Sequence, residues 1–285
     1  MRRFQRPGWL LRFSILALFG IVCGHASAVE ILTNGTASYN TADPGAQVPD
    51  WTTGWGENGI DGWDYVGQVN GAVGVYLGDD WVLTAGHVGA GNLIIGGVTY
   101  DYVPGTAEGL TSASGSNVDL TLFQLASGPD LPTLELATQT SVGESVVMIG
   151  EGGGHGMSWG DNTITTTDLA VEVSGYNFYS CDFETAYGPT GSGTNDAVLV
   201  PGDSGGGNFT YDATTGQWML VGINEAVDSY DDSYMVQVSS YLSQIQHFSG
   251  VPEPGSGSLA LLALPLFFIP VFARHKLRGT KTGVI

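Results

Sequence analysis

Between residues 13 and 273 the chain contains no lysine and no arginine. Its basic side chains sit at the two ends, Arg2, Arg3, Arg6 and Arg12 at one and Arg274, Lys276, Arg278 and Lys281 at the other. All 28 acidic residues fall between Glu30 and Glu253, and the net charge is −20. Such a body has nothing with which to neutralise phosphates, which excludes nucleic-acid binding. It cannot make Lys or Arg ion pairs either, so its fold must rest on apolar burial and backbone hydrogen bonding. Cysteine is almost missing: Cys23 lies in the N-terminal apolar run, and Cys181 alone cannot form an intramolecular bridge. With no base nearby to stabilise a thiolate, Cys181 reads as a small hydrophobe rather than a nucleophile. The hydrophobic content of 42% is too high for a disordered acidic chain, and the acidity reads as a solvated surface.

Long apolar runs are confined to the ends. Arg2, Arg3, Arg6 and Arg12 precede an apolar stretch from Phe13 to Cys23, and Ala26-Ser27-Ala28 supplies a small-x-small cleavage site. Residues 1–28 therefore read as a secretory signal peptide, with the mature protein starting at Val29. At the other end Val251-Pro252-Glu253-Pro254 leads into an apolar run from Leu259 to Ala273 and then into Arg274, His275, Lys276 and Arg278. At ~1.5 Å per residue this run falls short of a ~30 Å hydrocarbon core. Pro265 and Pro270 weaken it further as a helix. The order of these elements resembles the PEP-CTERM sorting signal of exported bacterial proteins. That resemblance implies a tail over 251–285 with a short transmembrane segment, cut by an exosortase-type enzyme. It also implies secretion or a place in the envelope of a Gram-negative bacterium, with membrane contact only through the two terminal signals. A plain C-terminal anchor is the alternative.

Residues 29–250 are enough for one core. Short runs rich in β-formers alternate with Gly, Asp, Asn and Ser clusters: Gly71 to Leu77, Trp81 to Thr84, Leu93 to Ile95, Leu120 to Leu125, Ser145 to Ile149, Leu169 to Val173 and Trp218 to Ile223. This spacing predicts an all-β antiparallel sandwich or barrel. Val238, Tyr241, Leu242 and Ile245 recur at helical spacing and predict one C-terminal helix, capped by Ser239 or Ser240 and ended by Gly250 and Pro252. His247 near its C-terminus reads as structural. Residues 29–62 read as an irregular arm packed by Trp51, Trp55 and Trp63, or as a propeptide.

Three separated segments carry the parts of a hydrolytic site. Acyl transfer by a serine needs a hydroxyl, a base, a carboxylate to orient the base, and donors for the developing oxyanion. Gly202-Asp203-Ser204-Gly205-Gly206 presents Ser204 in a loop tight enough to aim the Gly202 and Ser204 amides into one hole. Trp81-Val-Leu-Thr-Ala-Gly-His87 delivers His87 at the end of an apolar strand. Asn117-Val-Asp119 places Asp119 at the entrance of another, where a carboxylate must be paired, and the His87 N–H is the partner on offer.

In order and spacing, His87, Asp119 and Ser204 resemble the trypsin/chymotrypsin family of serine peptidases over residues 63–248. Gly143 to Gly150, Gly222-Ile223 and the C-terminal helix resemble further landmarks of that family. The resemblance implies two antiparallel six-stranded β-barrels, over 63–130 and 131–250, the second carrying the helix. It implies hydrolysis of proteins or peptides by His87, Asp119 and Ser204, with no cofactor and no metal. In zymogen-type members it implies that Asp203 pairs with an α-amino group freed by cleavage, although no Ile-Val-Gly-Gly start is present; with no Lys or Arg in the domain, a histidine or neutral donors are the other partners on offer. The pocket positions match Val198 and Val227, without the acid that selects Lys or Arg, so a small or medium apolar residue is the expected preference. A catalytically inactive binding or matrix protein on the same scaffold, and an esterase, remain open readings. His155 in Gly152-Gly-Gly-His155 and the cluster Asp228, Asp231 and Asp232 lack the spacing of metal sites.

Overall fold

A computed structural model describes residues 13–15, 29–33, 36–151, 156–173, 175–186 and 196–250. The signal cleavage site, Cys23, His155 and the tail 251–285 lie outside the described residues. By its contacts the chain divides into residues 1–254 and 255–285. Among the described residues no helix is long and apolar enough to cross a membrane.

Local turn chemistry sets up the first sheet. Asn70-Gly71, Asp79-Asp80 and Gly96-Gly97 all have positive φ at both positions. Each forms a two-residue connection whose twist suits a hairpin. They join Val66–Val69 to Ala72–Gly78, Ala72–Gly78 to Trp81–Thr84, and Leu93–Ile95 to Val98–Tyr100. The sheet runs in the order Val98–Tyr100, Leu93–Ile95, Val66–Val69, Ala72–Gly78, Trp81–Thr84, Asn117–Gln124, Glu108–Thr111.

The second sheet runs Phe13–Ile15, Ser158–Val173, Ser145–Gly150, Gly207–Asp212, Gln217–Val227, Ser233–Gln237, Phe178–Thr185. Ser158–Val173 also pairs with Phe178–Thr185, so the pairing returns on itself. A small third sheet joins Ala197–Val198, Glu30–Thr33 and Thr36–Ser38. The all-β architecture with a short C-terminal helix matches the expectation. The second sheet has six strands between residues 145 and 237, as expected, with Phe13–Ile15 added at its edge; the first has seven rather than six, and hydrogen bonding does not close it into a barrel. In the first sheet the short hairpin Leu93–Ile95/Val98–Tyr100 ends one edge and Glu108–Thr111 the other.

One further correction concerns the C-terminal helix. The segment from Val238 starts as a 3-10 turn, Val238–Ser240, and the α-helix covers only Leu242–Ser249. Tyr241 stands at its N-cap without a side-chain bond, so neither Ser239 nor Ser240 caps it; Gly250 closes it at φ 69°. Asn117–Gln124 buries residues of both faces, in keeping with a sequence in which neither face is purely polar.

One core cluster spans both large sheets and includes the arm. Trp51 and Trp55 are buried and pack with Phe209 and Trp218 of the second sheet, and Trp55 stacks on Tyr65 at 6.2 Å. Trp63 is only partly buried against the cluster. Burying an aromatic side chain contributes about 1.5–3 kcal/mol, so these tryptophans bind residues 51–65 firmly to the body.

Asp61 closes a capping box with Asp64 at the short turn Gly62–Tyr65. Burial, followed by a hydrogen bond with Asp43, raises its carboxyl to about 7. A raised carboxyl holds in the folded state a proton that the unfolded chain releases. Its contribution is complete below the ordinary carboxylate range and lost as pH rises through about 7. The urea midpoint should therefore be higher in mildly acidic than in mildly alkaline buffer; a midpoint that rises with pH contradicts this.

Candidate active site

Asp119 lies fully buried near the start of its strand and is the acceptor around which the site is built. Its Oδ1 accepts the His87 backbone N–H at 2.7 Å, and its Oδ2 lies 2.6 Å from His87 Nδ1. One carboxylate thus fixes both the backbone and the ring of His87. The approach is close because residue 86 is glycine. A Cβ there would lie 3.0 Å from Asp119 Oδ1 and 3.1 Å from the Phe178 ring. Tyr176 flanks the imidazole at 5.3 Å and stacks on Phe178.

The Ser204 loop is held from three sides. The Ser204 carbonyl accepts the Val73 N–H at 3.0 Å, tying the loop to the first sheet. Asn224 ties it to the second: Gly205 N–H donates to the Asn224 carbonyl, and Asn224 Nδ2 donates to the carbonyls of Ile149 and Asp203. Asp203 is buried, and its carboxylate accepts the Val200 N–H at 2.8 Å and the Val29 N–H at 3.1 Å. Val29 is itself fully buried, and its carbonyl accepts the Ser158 hydroxyl.

Gly202 has φ 108° and Gly205 φ 86°, values that side chains other than hydrogen rarely adopt. Among the described residues the Gly202 and Ser204 amides donate to no protein acceptor. They stay available for a ligand oxygen.

His87 and Ser204 line one cavity of about 290 Å³. No hydrogen bond joins their side chains among the described residues. The other walls include Leu199, Val200, Pro201, Ala226 and Val227. Val227 is therefore at the cavity, whereas Val198 is not: it is buried, and its backbone pairs with Glu30. Its neighbour Leu199 takes the lining position.

Asp228 also faces the cavity, but its Oδ1 accepts the Tyr230 and Asp232 amides of its own loop. Among the described residues no group of acids, histidines or cysteines is arranged to hold a metal. Cys181 is half-buried, accepts a weak bond from the Ser240 hydroxyl, and burial pushes its thiol up. Asn224 and Tyr176 were not read from the sequence. An asparagine inside an apolar strand, Gly222 to Val227, was the available signal for the first; nothing local marks the second.

The trypsin-like peptidase domain family model matches residues 72–223, more than half of the chain. The chain belongs to this family. Among solved structures it is similar to the HtrA-type protease AlgW with a decapeptide, at 22% identity and TM-score 0.46, covering 62% of this chain and 51% of that one. It thus spans about half the length of that protein. It is also similar to an inactive form of Rv3671c from M. tuberculosis H37Rv, at 19% identity and TM-score 0.49 over 76% and 100% of the two chains. The NS6 protease from murine norovirus 1 matches at 16% identity and TM-score 0.46 over 64% and 93%. No curated protein matches the chain.

The loop geometry generates a direct expectation. A Cβ on Gly205 would run into the Val73 carbonyl oxygen and the Thr84 hydroxyl, at a positive φ. Gly205→Ala should destabilise the fold by roughly 1–3 kcal/mol or more in urea unfolding. An unchanged midpoint would show that the loop is not held as described.

Proposed function

We propose that the protein is a secreted serine endopeptidase in which Ser204 is the nucleophile, His87 the general base and Asp119 the orienting acid. The observation that carries this reading is the pair of hydrogen bonds from His87 to one buried carboxylate, beside a cavity that His87 shares with Ser204. Asp119 on Nδ1 leaves Nε2 as the nitrogen that takes the Ser204 proton. Ser204 Oγ then attacks the substrate carbonyl carbon. The oxyanion that forms accepts the Gly202 and Ser204 amides, and His87 returns its proton to the leaving amine.

The cavity supports a preference for apolar side chains over Lys and Arg. Its carboxylates are turned to other donors: Asp203 to Val29 and Val200, Asp228 to its own loop, and Glu225 to Ser180. A fluorophosphonate probe should label the wild type and fail on Ser204→Ala, and a peptide library should show cleavage after small or medium apolar residues. Labelling that survives Ser204→Ala contradicts the assignment; a profile dominated by Arg or Lys contradicts the specificity. Labelling absent from the wild type favours the inactive binding protein.

The terminal segments support export through the N-terminal signal and sorting through the PEP-CTERM-like tail, with an exosortase-type enzyme as the processing partner. In this reading, cleavage before Val29 turns the Val29 amide into an ammonium beside Asp203, where the Val29 nitrogen already lies 3.1 Å from Oδ1. The charge strengthens that bond and holds the 202–205 loop in its working shape. N-terminal sequencing of the active protein should give Val29, and acetylation of that amine should remove most of the activity. Full activity after acetylation contradicts the activation step.

A further inference from the structure

Next to Asp119 lies a second set of acids, Asp182 and Glu225, of which Glu225 also lines the cavity. The Asp119 N–H donates to Ser180 Oγ at 3.1 Å, and the Ser180 hydroxyl donates to Glu225 Oε1 at 2.6 Å. Asp182 projects from the same strand as Ser180 and is fully buried; Glu225 is 4% exposed. The electrostatics of each carboxyl respond to the other and to the charge of Asp119. Among the described residues neither oxygen of Asp182, nor Oε2 of Glu225, meets a hydrogen-bond donor.

Two buried carboxylates with one hydroxyl donor between them and no cation would be too costly to keep fully ionised. No lysine or arginine exists in this part of the chain to supply a cation. The remaining titratable groups packed around the pair do not serve either. Tyr241 accepts the Cys181 N–H, and its hydroxyl is pushed up by burial; the Cys181 thiol is also pushed up by burial; His87 is engaged by Asp119.

We infer that Asp182 and Glu225 share one proton and, through Ser180, act as positioning residues for Asp119. The inference rests on the peptidase reading for its functional half. Sharing supplies the missing donor and leaves a single negative charge on the pair. Burial first holds both carboxyls above the ordinary carboxylate range; repulsion from Asp182 adds to it at Glu225, and the charge of Asp119 adds to it at both, while the hydrogen bond with Glu225 pulls Asp182 back. The relay then anchors the Asp119 backbone, and the retained proton keeps a further charge away from the triad.

Infrared spectra of the full chain test the proton directly. At mildly alkaline pH, where Asp61, raised to about 7, has ionised, the wild type should keep a carboxylic-acid carbonyl band. The isosteric double variant Glu225→Gln/Asp182→Asn should lose it. A wild type without the band, or a double variant that retains it, overturns the shared proton.

The double variant also removes the pair's one negative charge. The acid limb of its kcat/KM profile should move down by about one pH unit. Cutting the relay with Ser180→Ala should lower kcat about tenfold with little change in KM, and Ser180→Thr should restore it. An unmoved acid limb together with an unchanged kcat in Ser180→Ala overturns the positioning role. The band does not depend on turnover. A protein that shows it but cleaves no peptide contradicts the peptidase reading and leaves the shared proton standing.

Discussion

A body without lysine or arginine must find other donors for every carboxylate it buries, and that constraint shapes the structure around the cavity. Asp119 takes the backbone N–H and ring nitrogen of His87. Asp203 takes two backbone amides, one from Val200 and one from Val29, 174 residues away in sequence. Asp61 and Asp64 cap each other's backbone across one short turn. Each solution spends directional bonds, which cost nothing in desolvated cation charge and fix geometry more tightly than a mobile ammonium would.

The same bonds couple the two large sheets to the site. Val73, in the first sheet, holds the Ser204 carbonyl; Asn224, in the second, holds the carbonyl of Asp203 and the amide of Gly205. His87 follows the end of a strand of the first sheet, while its ring is flanked by Tyr176, from the turn that leads into the second-sheet strand Phe178–Thr185. The Ser204 loop and His87 therefore line one cavity because two sheets of different topology share one apolar cluster. The arm adds to that cluster through Trp51 and Trp55, and through Val29 it also reaches the carboxylate beside the nucleophile.

Much of this was legible in the sequence where the signal is local. The two-residue turns at Asn70-Gly71 and Gly96-Gly97 announce hairpins because few other residues accept their φ values. His87, Asp119 and Ser204 each sit in a short motif whose neighbours serve the same task. The pairing of Val198 with Glu30 was not legible, since nothing within either segment names the other. The long strand Ser158–Val173 was read only over its last five residues. Its Asp161-Asn-Thr stretch looks like a loop, yet Asn162 stays in the strand by donating its side-chain amide to the Ala197 carbonyl. Glu225 looks like a solvated charge in sequence. Its burial follows from three strands converging on Asp119, which no linear pattern reports. The helix start failed for a related reason, because a 3-10 turn and an α-helix share the same apolar spacing over one turn.

The central proposal is that bonds to buried carboxylates hold the His87 imidazole and the Ser204 hydroxyl at one cavity, with the Gly202 and Ser204 amides as oxyanion donors. A crystal structure of the protein after covalent reaction with a phosphonate tests this most directly. The account predicts the phosphorus on Ser204 Oγ, its oxygen on the Gly202 and Ser204 amides, His87 Nε2 in hydrogen-bond reach of Oγ, and the Val29 nitrogen on Asp203. An adduct whose oxygen points away from those amides, or whose His87 has left Asp119, would contradict it.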